Sequence, residues 1–177
     1  MIHIYTGEGK GKTTSAFGLA MRASGQGLKV CVFQFWKQKT LILGEEISAK
    51  KLKNIKVVKC EKCHPMFIGH KDTKTPGHRE ELEKDIEAMV KKAEKAILSK
   101  KYNMIILDEI VNVVDQGYFD KDEFLRFLKN TPEGIELVLT GRGNISEMED
   151  LADYITVMTE KKHPFRVNIK ARKGIEY

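Results

Sequence analysis

The chain has no run of about 18 apolar residues, the length needed to cross a bilayer as a helix. Its first residues, Met1-Ile2-His3-Ile4-Tyr5, carry no basic segment, no long apolar stretch and no small-residue cleavage site. They do not read as a signal peptide, so a cytoplasmic location is expected. Only three cysteines occur, an odd number, which argues against a disulfide framework. There is no internal repeat, no low-complexity tract and no linker. A basic stripe interleaved with aromatics is also missing, so a nucleic-acid-binding surface is not expected. The net charge of +6 is a modest excess over many charges of both signs and fits a solvated, lysine-rich surface.

What is present is one domain's worth of chain, 177 residues, expected to fold as a single unit over 1–177. Short apolar runs alternate with helical periods. Strands are expected at Ile2–Tyr5, Val30–Phe35, Ile55–Val58, Met104–Leu107, Ile135–Leu139, Tyr154–Met158 and Val167–Ile169. A helix is expected from Lys12 to Ser24, stopped by Gly25 and Gly27. A second runs from Glu80 to Ser99, with Leu82, Ile86, Met89, Val90, Ala93 and Ile97 on one face. Asp120 caps a third, whose apolar face is Phe124, Leu125 and Leu128, and a short helix spans Ile145–Leu151. Met104–Leu107 is apolar throughout, as in a strand covered on both faces. The alternation predicts an α/β fold with a mostly parallel sheet and helices on both faces.

The segment Thr6-Gly7-Glu8-Gly9-Lys10-Gly11-Lys12-Thr13-Thr14 follows a strand and opens a helix, the context a P-loop requires. Glycines let successive amides turn toward phosphate oxygens, and the helix N-terminus adds partial positive charge. Lys12 supplies a full charge, and the Thr13 hydroxyl is a candidate Mg²⁺ ligand. The usual spacing puts a glycine where Thr6 stands, so by that count the loop is one residue short. Asp108 and Glu109 end an apolar strand, where such folds place ligands, and their oxygens suit Mg²⁺ directly or through water. A competing use of this loop and acidic pair is a phosphotransferase such as a nucleoside kinase. A third is an ATP-gated nucleic-acid-binding module.

Cys60-Glu61-Lys62-Cys63-His64 has the spacing of covalent haem attachment, set aside in the absence of an export signal. Cys60, Cys63 and one of His64, His70 or His78 also have ordinary zinc-ligand spacing. No second cysteine pair accompanies them, and reduced cysteines beside solvated histidines are the favoured reading.

Several segments in order along the chain carry a wider resemblance. They are Tyr5 to Thr14, Gly18-Leu19-Ala20-Met21-Arg22-Ala23, Gln34-Phe35 with Lys37, and Leu107-Asp108-Glu109. Thr140-Gly141-Arg142-Gly143, Leu151-Ala152-Asp153, Lys162-His163-Pro164-Phe165 and Ala171-Arg172-Lys173-Gly174-Ile175-Glu176-Tyr177 follow. Together they resemble the P-loop ATP:corrinoid adenosyltransferases, the cob(I)alamin or cob(I)yrinic acid a,c-diamide adenosyltransferase family, in which the short loop is itself a feature. The resemblance implies a RecA-like fold, a homodimer, and transfer of the 5′-deoxyadenosyl group of ATP to a reduced corrinoid, in biosynthesis or salvage. It implies ATP lying reversed along the loop and a reductase that supplies Co(I). On this sequence Gly7, Glu8, Gly9, Lys10, Gly11, Lys12, Thr13 and Thr14 would hold the triphosphate. Thr13 and Glu109, with Asp108 beside them, would carry Mg²⁺. Arg22 and Arg142 match nucleotide-edge positions.

The chain departs from the family in two places. The first residues already belong to the sheet, where the family has an extra segment over the corrinoid. Where it carries the aromatic pair Phe-Thr-Trp, this chain reads Pro65-Met66-Phe67-Ile68-Gly69-His70. The only tryptophan, Trp36, follows the second strand, as a core residue, a dimer contact or a ring facing the ligand.

Overall fold

The computed structural model describes residues 1–37, 42–60 and 78–176, with the side chain of His78 left aside. Six strands, β1 (Ile2–Thr6), β2 (Val30–Gln34), β3 (Ile55–Lys59), β4 (Met104–Asp108), β5 (Glu136–Thr140) and β6 (Tyr154–Val157), form one sheet in the order β3-β2-β4-β5-β1-β6. Every pairing is parallel, so all six carboxyl ends lie on the same edge.

Side-chain alternation divides the core in two. On one face Ala16, Ala20 and Ala23 of α1 (Lys12–Gly25) pack on Val30, Val32, Met104, Ile106 and Val138. Small alanines let this helix lie close to the sheet. On the other face Cys31, Phe33, Ile105, Leu107, Leu137 and Leu139 meet α3 (His78–Leu98) and α5 (Lys121–Lys129). The six residues expected on the apolar face of α3, from Leu82 to Ile97, are all buried there. Each such aliphatic side chain contributes about 1.5–3 kcal/mol on leaving water. The Asp120 carboxylate caps α5 by accepting from the Glu123 amide at 2.8 Å. Two short helices, α2 (Gly44–Ala49) and α6 (Ser146–Glu149), complete the connections, with α4 (Ile110–Asp115) directly behind β4.

The α/β expectation therefore holds, with a six-stranded all-parallel sheet flanked by helices, consistent with a RecA-like P-loop fold. The last expected strand does not form. Val167 ends a 3-10 turn, Pro164–Val167, and Val167–Ile169 leaves the sheet. His163 Nδ1 accepts from the Phe165 amide at 3.1 Å, Pro164 pre-sets the first turn, and Asn168 closes it at φ 59°. This local cap outcompetes the β-tendency of two isolated aliphatics.

Trp36 is a core residue, 4% exposed, edge-on to Tyr118 with ring centroids 5.9 Å apart. Cys60 is buried at the end of β3, and burial pushes its thiol well above the ordinary range. Cys63, His64, His70 and Phe67 lie outside the described residues. Among the described residues no three His, Cys, Asp or Glu side chains are placed to hold a metal, and no helix is long and apolar enough to cross a membrane.

Candidate functional site

The ends of β1, β2, β4 and β5 bring the candidate residues to one edge. The loop after β1 curls because Gly7 and Gly11 adopt φ of 94° and 119°, open to glycine at little cost. Its outer wall is the backbone after β6. The Gly9 amide donates to the Met158 carbonyl at 2.7 Å. A Cβ on Gly7 or Gly9 would come within 2.5 or 2.7 Å of that oxygen, so neither position admits a side chain without rearrangement.

Lys12 begins α1 and is only 8% exposed. Its ammonium folds back over the loop, donating to the carbonyls of Gly7 at 2.5 Å and Gly9 at 2.8 Å. Burial lowers its pKa, Arg142 lowers it further, and Glu109 and Glu8 oppose both. A cation held this way is poised to exchange carbonyl partners for anionic oxygens, which bind it more strongly.

Asp108 at the end of β4 is fully buried and gathers three donors. The hydroxyls of Thr13 and Thr140 donate to Oδ1 at 2.9 and 2.7 Å, and Gln34 Nε2 donates to Oδ2 at 3.3 Å. Three neutral donors partly offset the cost of burying the carboxylate. The next residue, Glu109, adopts φ 68° and starts α4, and its amide donates to Thr140 Oγ1 at 2.9 Å. Burial, with Asp108 adding to it, raises the Glu109 pKa, while Lys37, Lys12 and Arg142 pull it down.

Arg142 follows β5 and reaches the loop from the other side. Its Nη2 donates to the Glu8 carbonyl at 3.2 Å, and its Nε lies 3.6 Å from the Glu8 carboxylate. Lys10 turns outward to Glu176 at 3.6 Å, and Thr14 is exposed. The structure thus gathers Gly7 to Thr13, Asp108, Glu109 and Arg142. Arg22 stands apart, exposed in the last turn of α1, about 15 Å of helix rise from Lys12. Burial raises the pKa of the Tyr5 phenol, and the charge of Arg22 lowers it. Thr140 falls in a segment that carries the family resemblance, but nothing local in the sequence marks it as the partner of Asp108. It becomes visible only when β5 is placed between β4 and β1.

A glycine loop running from an interior parallel strand into a helix, with a buried aspartate two strands away touching the first helical hydroxyl, defines a P-loop protein. The family model ATP:corrinoid adenosyltransferase BtuR/CobO/CobP matches residues 1–177. A corrinoid adenosyltransferase of Sinorhizobium sp is 33% identical over 178 residues, covering 100% of this chain and 80% of that protein. The Pseudomonas aeruginosa corrinoid adenosyltransferase is 33% identical over 174 residues, 98% of this chain and 82% of its own. That of Escherichia coli K12 is 33% identical over 177 residues, 100% and 85%. The chain belongs to the corrinoid adenosyltransferase family, a family of transferases that use ATP and a corrinoid.

Proposed function

We propose that this chain transfers the 5′-deoxyadenosyl group of ATP to the Co(I) of a corrinoid and releases intact triphosphate. The observation that carries the reading is the buried Lys12 ammonium beside the Thr13–Asp108–Thr140 chain, a cradle suited to a polyanion at the edge where β1, β4 and β5 end. The corrinoid is the second substrate, and its cobalt is the nucleophile. The cobalt electron pair attacks C5′, the Co–C bond forms, the C5′–O bond breaks, and triphosphate leaves with the bonding pair. Lys12, the amides of the Gly7 to Thr14 loop other than that of Gly9, and Arg142 stabilise the negative charge that grows on the leaving group.

Mg²⁺ fits the residues present. Thr13 and Glu109 offer hard oxygen donors, and the Thr13 hydroxyl already lies 2.9 Å from the Asp108 carboxylate. Thr13 and Glu109 would hold the ion, with Asp108 supporting from behind. When bound, the ion neutralises charge on the phosphate oxygens. Residues 1–177 then act as one domain of a cytoplasmic homodimer, served by a separate reductase. Its preferred substrate is a corrinoid without a strongly bound lower base.

The test is product analysis under strictly anaerobic conditions, with ATP, Mg²⁺ and chemically reduced corrinoid. Adenosylated corrinoid and triphosphate are expected in equal amounts. Lys12→Ala is expected to lower turnover about 100-fold or more. ADP without a cobalt–carbon bond would replace this reading with phosphotransfer.

A further inference from the structure

The turn that carries Arg142 is held by two side chains outside the cradle. Asn112 Oδ1 accepts from the Arg142 amide at 2.7 Å, and Asp115 Oδ1 accepts from the Asn144 amide at 2.8 Å. The two acceptors stand three residues apart on α4, so they share a helix face. They grip alternate amides of a turn in which Gly141 and Gly143 have φ of 148° and 124°.

The packing there is close. A Cβ on Gly141 would lie 2.4 Å from Asn112 Oδ1, and one on Gly143 would lie 2.4 Å from Asp115 Cγ. The turn can lie this near the helix only because both positions lack side chains. From that fixed backbone the Arg142 side chain, still 54% exposed, projects to Glu8 across the loop. A long side chain loses less entropy on binding an anion when its Cα is already placed. The same helix begins at Glu109, whose amide meets Thr140 at the end of β5. α4 and the Glu109 that caps it therefore tie the acidic pair to the end of β5 at Thr140 and to the Arg142 turn at Asn112 and Asp115.

We propose that Asn112 and Asp115 are positioning residues, which hold the Gly141 to Asn144 turn so that Arg142 meets the phosphates in the Gly7 to Thr14 loop. This rests on the reading of Arg142 as a phosphate contact. The test uses the full chain, Mg²⁺ and inorganic tripolyphosphate as the probe. Asn112→Leu keeps the size of the side chain and removes the acceptor, and Asn112→Asp keeps an acceptor in place.

Asn112→Leu is expected to weaken tripolyphosphate binding about tenfold by calorimetry, the upper end for one lost hydrogen bond. It should also speed hydrogen exchange at the Arg142 and Asn144 amides. Asn112→Asp should retain both properties. The double variant with Arg142→Ala should bind no more weakly than Arg142→Ala alone, because the two changes act through one contact. If Asn112→Leu does not fold, Asp115→Ala carries the same expectations. Losses that multiply in the double variant, or unchanged exchange at both amides, would overturn the positioning role while leaving Arg142 in place. Undiminished binding by Arg142→Ala would sink the phosphate contact, and the proposal with it.

Discussion

Glu109 sits where a carboxylate ionises reluctantly. Its backbone is left-handed at φ 68°, its neighbour Asp108 is a fully buried carboxylate, and burial with that neighbour raises its pKa. Lys37, Lys12 and Arg142 offset this only in part. The linkage has a definite sign. A group whose pKa is raised by folding contributes stability that is complete below its unfolded pKa and lost as pH rises through the folded value. Ionised Glu109 is therefore a strained group in the metal-free protein, and a cation relieves it. Metal-free Glu109→Gln should melt above the parent at pH 8, and the difference should shrink as pH falls toward 4 and vanish below the free glutamate pKa of about 4.3, where the carboxyl is protonated in both states. The same variant should bind Mg²⁺–ATP about tenfold or more weakly, the loss expected for one ligand or its support. Melting curves from pH 4 to 8 check the first part and metal titrations the second. A melting difference independent of pH would contradict the assignment of strain to this carboxylate.

At the scale of elements, the glycine loop and the segment after β6 form one unit. Gly9 donates to the Met158 carbonyl, and a Cβ at Gly9 would sit 2.7 Å from that oxygen and 2.9 Å from the Thr159 carbonyl carbon. Gly9→Ala should cost about 1–3 kcal/mol through overpacking, or about 2–12 °C in Tm for a chain of this size. Triphosphate affinity should fall with it. Gly18→Ala is the contrast. Its Cβ would meet nothing within 4 Å on an exposed helical face, so it should be neutral or gain up to about 1 kcal/mol. Equal melting of the two variants would show that the contact with Met158 does not constrain the loop.

The elements themselves were largely legible in the chain. Strand positions followed from apolar runs, α3 from its six-residue face, and α5 from Asp120. No helix was expected at α4, because four of the five residues in Ile110-Val111-Asn112-Val113-Val114 are β-branched and disfavour a helix, whereas Glu109 turns the backbone at the end of β4. The loop and the acidic pair were visible as motifs. The partnerships of Thr140 with Asp108 and of Asn112 with Arg142 were not, because they join residues 32 and 30 positions apart through the strand order.

For the molecule as a whole, the parallel sheet places every strand's carboxyl end on one edge, where open α/β sheets bind their ligands, and under the proposed function the nucleotide and the corrinoid meet there. The proposed triphosphate cradle on that edge is built from described residues, whereas Pro65 to His70, where the resemblance puts the family's aromatic pair, lie outside them. The tryptophan of the family's pair has no counterpart in Pro65 to His70. Trp36, the only tryptophan, is 4% exposed against Tyr118 and does not offer a free ring to a ligand. Cobalt loses its lower ligand on the way to four-coordinate Co(I), and a tethered base resists that step. The family resemblance gives the aromatic pair a part in removing that ligand, so a chain without its tryptophan should discriminate between substrates at the Co(II) stage. Starting from Co(II) with a reductant too mild to reduce the free corrinoid, cobyrinic acid diamide should turn over about tenfold faster than complete cobalamin, a barrier difference of about 1.4 kcal/mol. Starting from Co(I) prepared chemically, where the base is already off, the difference should largely vanish. Anaerobic spectrophotometry of cobalt–carbon bond formation measures both arms. Equal rates from Co(II), or a preference for complete cobalamin, would mean that other residues remove the lower ligand and that the broken pair does not set substrate choice.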